Sequence, residues 1–139
     1  MTQGNEFAPR IGEVYIMRFD GYDSVQHGWR PGIIFQNNTG NQFSPNVIAL
    51  PLTSSLKKLN QPTHVLIRAK DTGLRMDSMA LCENPECVSK EMVGSYITTL
   101  PDSYMRKIAV ASLLATSAIT YLDEDTVLET WQKANALNE

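Results

Sequence analysis

Cysteine is scarce in this chain. Cys82 and Cys87 are the only two among 139 residues. A Cys-x4-Cys pair with no second pair of ligands is a poor zinc pattern, so both are expected as free thiols. Long apolar runs are missing as well. The longest, Ile108 to Ile119, is interrupted by Ser112, Thr116 and Ser117. It falls short of the roughly 20 apolar residues that span a bilayer. The opening MTQGNEFAPR lacks the basic start and apolar stretch of a signal peptide, so a cytoplasmic location is expected. Positive charge is not in excess either. Lys and Arg number 12 against 15 Asp and Glu, giving a net charge of −3. That balance argues against sequence-blind nucleic-acid binding through a large basic face. A local basic groove is compatible with it, because Lys57, Lys58, Arg68, Lys70 and Arg75 fall in the middle and Glu124, Asp125 and Glu129 at the end. There is no H-E-x-x-H, no convincing His/Cys cluster and no closely spaced acidic motif next to Arg30 or Thr53. No metal and no cofactor are therefore expected. Asp20 and Asp23 read as turn chemistry.

Apolar residues make up 42% of the chain and charged residues 19%, enough for one globular domain with a core. Glu13–Phe19 alternates loosely and is rich in strand formers. Further strands are expected at Ile33–Gln36, Val47–Leu52, Thr63–Ile67, Ser78–Cys82 and Val93–Thr98. Turn chemistry separates them: Asn37 to Pro45 as a loop, Leu56 to Gln61 as an exposed connection, Asn84-Pro85-Glu86 as a turn. A helix capped by Asp102 or Ser103 follows, with Ile108, Leu113, Leu114 and Ile119 as its apolar face. A second helix restarts at Asp123 with Val127, Leu128, Trp131 and Leu137 on one side. Strands first and helices last imply a small curled sheet or barrel covered by a C-terminal helix.

One stretch organises the rest: Gly28-Trp29-Arg30-Pro31-Gly32-Ile33-Ile34-Phe35-Gln36-Asn37-Asn38. A polar loop delivers an arginine, and Pro31 biases it towards an extended backbone. Arg30 is expected to leave the sheet at a strand mouth. Its planar fork of donors, always charged, matches a phosphate. Downstream, Asn46-Val47-Ile48-Ala49-Leu50-Pro51-Leu52-Thr53-Ser54-Ser55 is an apolar strand that ends in hydroxyls. His27, with an ordinary pKa near 6.5, is a candidate proton carrier. Trp29, Tyr22 and Phe43 are candidates to stack on unpaired bases.

GWRPGIIFQNN, then SPNVIALPLTSS, then PTHVLI resembles the MazF/PemK (Kid) family of toxin endoribonucleases. The G-E-V-Y at Gly12 and the G-L-x-x-D-S at Gly73 to Ser78 add to the likeness, which runs from about Gly12 to about Ile119. The resemblance implies an SH3-like barrel of the CcdB/PemK type, mainly β with C-terminal helices, and a homodimer. It divides the chain into a barrel domain with its helix over 1–122 and an added helical extension over 123–139. It implies metal-independent, sequence-specific cleavage of single-stranded RNA by the toxin of a type II toxin–antitoxin pair, with RNA and a cognate antitoxin as partners. Arg30 matches the arginine held central to catalysis and Thr53 the threonine that assists, with Ser54 as a fallback. Gln26 matches a position often polar in the substrate-covering loop. His64, in PTHV, reads as a structural strand residue.

One departure stands out. Where the family commonly has E-Q-I-R-T-I-D-K, this chain has Glu83-Asn84-Pro85-Glu86-Cys87-Val88-Ser89-Lys90. Glu83 and Lys90 match, but the arginine is replaced by Glu86, and an acid in a phosphate groove repels substrate. A second reading is a non-catalytic protein of the same barrel, binding gyrase as CcdB does, or RNA or an antitoxin. Arg30-Pro31 and Thr53-Ser54 favour the nuclease.

Overall fold

The computed structural model describes residues 7–20 and 27–137, with backbone alone for His27 and Leu137. Seven strands form one curled antiparallel sheet in the order β4-β5-β3-β2-β1-β7, with β6 added on β3. They are β1 (Glu13–Asp20), β2 (His27–Ile34), β3 (Asn46–Thr53), β4 (His64–Ile67), β5 (Ser78–Leu81), β6 (Glu86–Ser89) and β7 (Val93–Thr99). Helices α1 (Asn38–Phe43), α2 (Asp102–Ala115) and α3 (Glu124–Leu137) complete it. This is the mainly β architecture with C-terminal helices that the sequence implied.

Alternation along β1 explains why the sheet has two apolar faces. Val14 joins a cluster with Ile33, Leu50, Leu52, Ile67, Tyr104 and Ile108. Tyr15, Met17 and Phe19 join a second cluster with Ile34, Val47, Ala49 and Val88. Successive side chains of a strand point to opposite faces, so β1 feeds both. Strand β3 does likewise, and it also turns the sheet. It pairs with β6 through residues 46–49 and with β2 through 49–51, then passes to β5 at Leu52 and Thr53. Each fully buried Ile or Leu here contributes about 1.5–3 kcal/mol.

Three elements differ from the sequence reading. β2 begins at His27 rather than Ile33 and ends before Gln36. Gly-Trp-Arg-Pro-Gly looks like loop, but pairing with β1 from Asp20↔His27 to Val14↔Ile33 overrides that preference. Pro31 is tolerated because the β3 ladder starts only at Gly32, which leaves the first half of β2 an edge on that side. Asn37–Pro45 is not all loop. Asn37 caps α1 by accepting the Gly40 amide at 2.8 Å. The fully buried Asn41 donates to the Gln36 carbonyl at 2.9 Å. Finally, Glu86, expected in a turn, opens β6; four residues of modest strand character form a strand because β3 offers its edge.

The helices also depart in detail. α2 has Pro101 at its N-cap with no side-chain cap bond, so neither Asp102 nor Ser103 plays that part. Its buried side is Tyr104, Ile108 and Ala111. Leu114 and Ile119 are exposed, because α2 stops at Ala115 and Ser117 adopts a left-handed φ of 60°. Asp123 does start α3, accepting the Thr126 amide at 2.9 Å. Among the described residues, no helix is long and apolar enough to cross a membrane.

Candidate functional site

Arg30 lies inside β2, opposite Met17 of β1, and not at a strand mouth. The shift follows from β2 starting earlier than expected. Gly28, with φ +83°, admits the chain into the strand in a conformation other residues rarely adopt. Gly32 matters for space. A Cβ there would stand 2.6 Å from Phe19 Cζ and 2.8 Å from Met17 Sδ. Lacking one, β2 lets these two apolar side chains close over it on the face that Arg30 shares.

The guanidinium is half-buried. Its Nε is shut off from solvent and has no hydrogen-bond partner among the described residues. No ion pair among the described residues engages it. Buried donors are nearly always satisfied, so an orphan on a fixed cation marks a place prepared for an acceptor.

Thr53 ends β3. Its Oγ1 accepts the Ser55 amide at 3.1 Å, which is the turn chemistry common to hydroxyls at strand ends. That bond fixes the oxygen and leaves the hydroxyl proton able to donate. The β2–β3 register runs Ile34↔Ala49, Ile33↔Leu50, Gly32↔Pro51. That ladder ends at Gly32↔Pro51, so Arg30 lies two residues beyond it on β2 and Thr53 two residues beyond it on β3, where β3 already pairs with β5. Alternation puts both on the face that Ile34 and Ala49 share. Ser54 follows, exposed.

The other candidates are less convergent. Alternation sends Trp29 to the face opposite Arg30, where it pairs with Arg18 and is 55% exposed. His27 has its backbone opposite Asp20 at the start of β2. Gln26, Tyr22 and Asp23 lie outside the described residues. Phe43 is exposed on α1. Asp20 is paired with Arg18 at 3.3 Å. Among the described residues no three His, Cys, Asp or Glu side chains converge as metal ligands. Glu86 sits opposite Ala49, half-buried, on the face of the sheet that Ile34 and Arg30 share.

Some polar contacts carry no signal in the sequence. Glu83 turns from the sheet to His64, whose Nε2 lies 2.7 Å from Glu83 Oε2 and whose Nδ1 lies 3.0 Å from the Lys58 carbonyl. Tyr104 donates its hydroxyl to Asp71 Oδ2 at 2.6 Å and accepts the Arg68 amide at 3.2 Å. The bond to Asp71 is the main reason its phenol pKa is raised. Burial pushes the Cys82 thiol up to about 11. Sequence separations of 19 and 33 residues carry no local signal for either contact. A groove of about 650 Å³ between β4 and α2, lined by His64, Leu66, Arg68, Arg106, Lys107 and Val110, belongs to different strands from those carrying Arg30 and Thr53.

Comparison with known families matches residues 10–115 to the PemK-like, MazF-like toxins of type II toxin–antitoxin systems. The chain belongs to this family. Among relatives of the PemK/MazF toxins, Endoribonuclease EndoA of Bacillus subtilis (strain 168) is 37% identical over 98 residues, 70% of this chain and 84% of that protein. A mycobacterial endoribonuclease solved in complex with its cognate antitoxin superposes with a TM-score of 0.67 at 29% identity, covering 79% of this chain and 96% of that one. MazF of Deinococcus radiodurans superposes with a TM-score of 0.69 at 17% identity, over 80% of this chain and 98% of that one, and speaks for the fold alone. The match to the PemK/MazF toxins stops at residue 115, before α3.

Proposed function

We propose that this protein is the endoribonuclease toxin of a type II toxin–antitoxin pair, cutting single-stranded RNA at preferred sequences without a metal. The observation that carries the reading is the buried, unpartnered Nε of Arg30 on β2, in a chain of the PemK/MazF family. The site acts on RNA as follows. The 2′-hydroxyl attacks the adjacent phosphorus and gives up its proton. The P–O5′ bond breaks, and the leaving oxygen takes a proton. Negative charge builds on the phosphoryl oxygens in between, and fixed donors aimed there lower the barrier. Arg30 clamps those oxygens and supplies a proton donor. A guanidinium is an improbable base, so it does not take the first proton. Thr53 donates its hydroxyl to a phosphoryl oxygen or positions the 2′-hydroxyl, with Ser54 next in line. His27 is the proton carrier in this reading, and Gln26 and Trp29 contact RNA away from the scissile phosphate. The protein works as a cytoplasmic homodimer, with RNA in a groove shared by the protomers and an antitoxin segment competing for it.

The test is to incubate purified protein with mixed RNA and map the cut ends. Expected products carry a 2′,3′-cyclic phosphate and a 5′-hydroxyl. A 2′-deoxy substitution at the cut site stops the reaction, and a chelator leaves it unchanged. Loss of cleavage with chelator and recovery with magnesium, or 5′-phosphate ends, would overturn the mechanism. Light scattering at micromolar concentration tests the dimer.

A further inference from the structure

Helix α3 has no partner in the fold. Every residue from 121 to 136 is exposed. Val127, Trp131 and Ala134 recur at helical spacing with Thr126 and Thr130 beside them, and with Tyr121 and Leu122 they line a shallow hollow of about 380 Å³. Tyr121 is 85% exposed and Trp131 64%. Large apolar side chains gathered on one helix face mark an interaction surface, unlike single exposed ones. Ile119, and Leu114 and Val110 on α2, are exposed as well.

Charge indicates what covers it. Asp123, Glu124, Asp125 and Glu129 make α3 acidic, against the single Lys133. The groove between β4 and α2 has the opposite character, with Leu66, Val110 and Ala111 as apolar wall and Arg68, Arg106 and Lys107 around it. Part of that charge is engaged: Arg68 Nη1 is 3.8 Å from Asp77, and Lys107 Nζ stands 5.7 Å over the Tyr104 ring. Arg106 has neither contact. The same chain therefore carries an acidic amphipathic helix and a basic apolar groove, and α3 is not in its own groove.

We infer that α3 of one protomer docks in the β4–α2 groove of a second copy of this chain, reciprocally, so that each helix clamps its partner. This rests on the homodimer reading above and adds which segment holds the dimer. An isologous exchange repeats the same contact twice and closes, where a one-way contact would propagate into fibres. Trp131 and Val127 enter the apolar part of the groove, and Glu124 and Glu129 meet Arg106 and Lys107 at its rim. Oppositely charged patches also set the register of such a contact.

Sedimentation of full-length variants tests this, with circular dichroism as a check on folding and RNA cleavage followed in parallel. Val127→Glu with Trp131→Glu is expected to weaken self-association roughly thirtyfold or more, the scale of a lost aromatic anchor. Arg106→Glu with Lys107→Glu is expected to weaken it too. Adding Glu124→Lys with Glu129→Lys to that groove variant should recover most of the loss, which a merely destabilising change would not do. A dimer undiminished by the α3 substitutions overturns the inference and leaves the dimer standing. A monomeric wild type overturns both, while the parallel cleavage assay judges the nuclease reading separately. If the α3 substitutions abolish capture by the co-expressed antitoxin and leave self-association intact, the helix serves the antitoxin and the inference falls.

Discussion

His64 and Glu83 face each other at 2.7 Å, one opening β4 and the other just past the end of β5. The other ring nitrogen meets the Lys58 carbonyl at 3.0 Å. One side chain thus fastens the connection that leads from Thr53 back into the sheet. Lys58 itself takes a left-handed φ of 58°, a conformation that needs outside support in a non-glycine residue. His64→Phe removes the ring that bridges the Lys58 carbonyl and the partly buried Glu83 carboxylate. It is expected to lower stability by about 1–3 kcal/mol in urea unfolding. Limited proteolysis should then cut first between residues 54 and 63. An unchanged urea midpoint and cleavage pattern would show that the ring is not the fastener.

Arg30→Ala is expected to abolish RNA cleavage with the fold retained, because the guanidinium makes no bond that holds the sheet. Arg30→Lys should not restore it, since an ammonium lacks the planar fork. Thr53→Ala should slow cleavage by roughly 10²–10³-fold, the usual loss for one positioned donor. Thr53→Ser should keep most activity. Single-turnover rates on a mapped substrate decide this. Near-normal cutting by the Arg30→Ala protein would remove it from the site.

The two cysteines should behave differently. Cys82 is buried with its thiol pushed up to about 11, whereas Cys87 is exposed on β6. The thiolate is the reactive form. At pH 8, iodoacetamide should label Cys87 alone in the folded protein and both in denaturant. Mass spectrometry of the labelled peptides reads the result. Rapid labelling of Cys82 in the native protein would contradict its burial.

Asp123 gives α3 a pH dependence. The Thr126 amide that it accepts holds its carboxyl below the ordinary 3.8. For a depressed carboxylate, the stabilising contribution is present above the unfolded value and is lost as pH falls through the folded one. Helical signal should therefore drop as pH is lowered below about 4, a window set by the ordinary carboxylate range. Asp123→Ala should show the same lower helicity already at neutral pH and lose the acid step. Identical acid titrations of the two proteins by circular dichroism would refute the capping role.

Much of this molecule is legible in its residues. Val47–Leu52 reads as a buried strand because it is a continuous apolar run, and it is one apart from Ile48, which is exposed. Arg30 and Thr53 stand out because each sits at a change of character, polar to apolar or the reverse. That both fall on one face of the sheet is not legible, since it depends on where β2 begins and how it pairs with β3. The missed strand β6 and the early start of β2 share one cause. Both segments have weak intrinsic preference and are strands because a neighbour supplies the ladder. α3 is the opposite case. Its apolar spacing is plain in the sequence and would ordinarily mean a helix packed on the core. The structure leaves that face bare, and periodicity alone does not say which body it meets.

Strand β3 belongs to both parts of the curled sheet, bonded to β2 and β6 along most of its length and to β5 at its end. Neither part can open while the other stays closed without tearing this strand. Its amides from Val47 to Leu50, and that of Leu52, should exchange with deuterium only when the whole molecule unfolds, and should share one protection free energy. The termini and α3 exchange far faster. The expected consequence is a barrel that offers a protease no half-open form and is lost all at once.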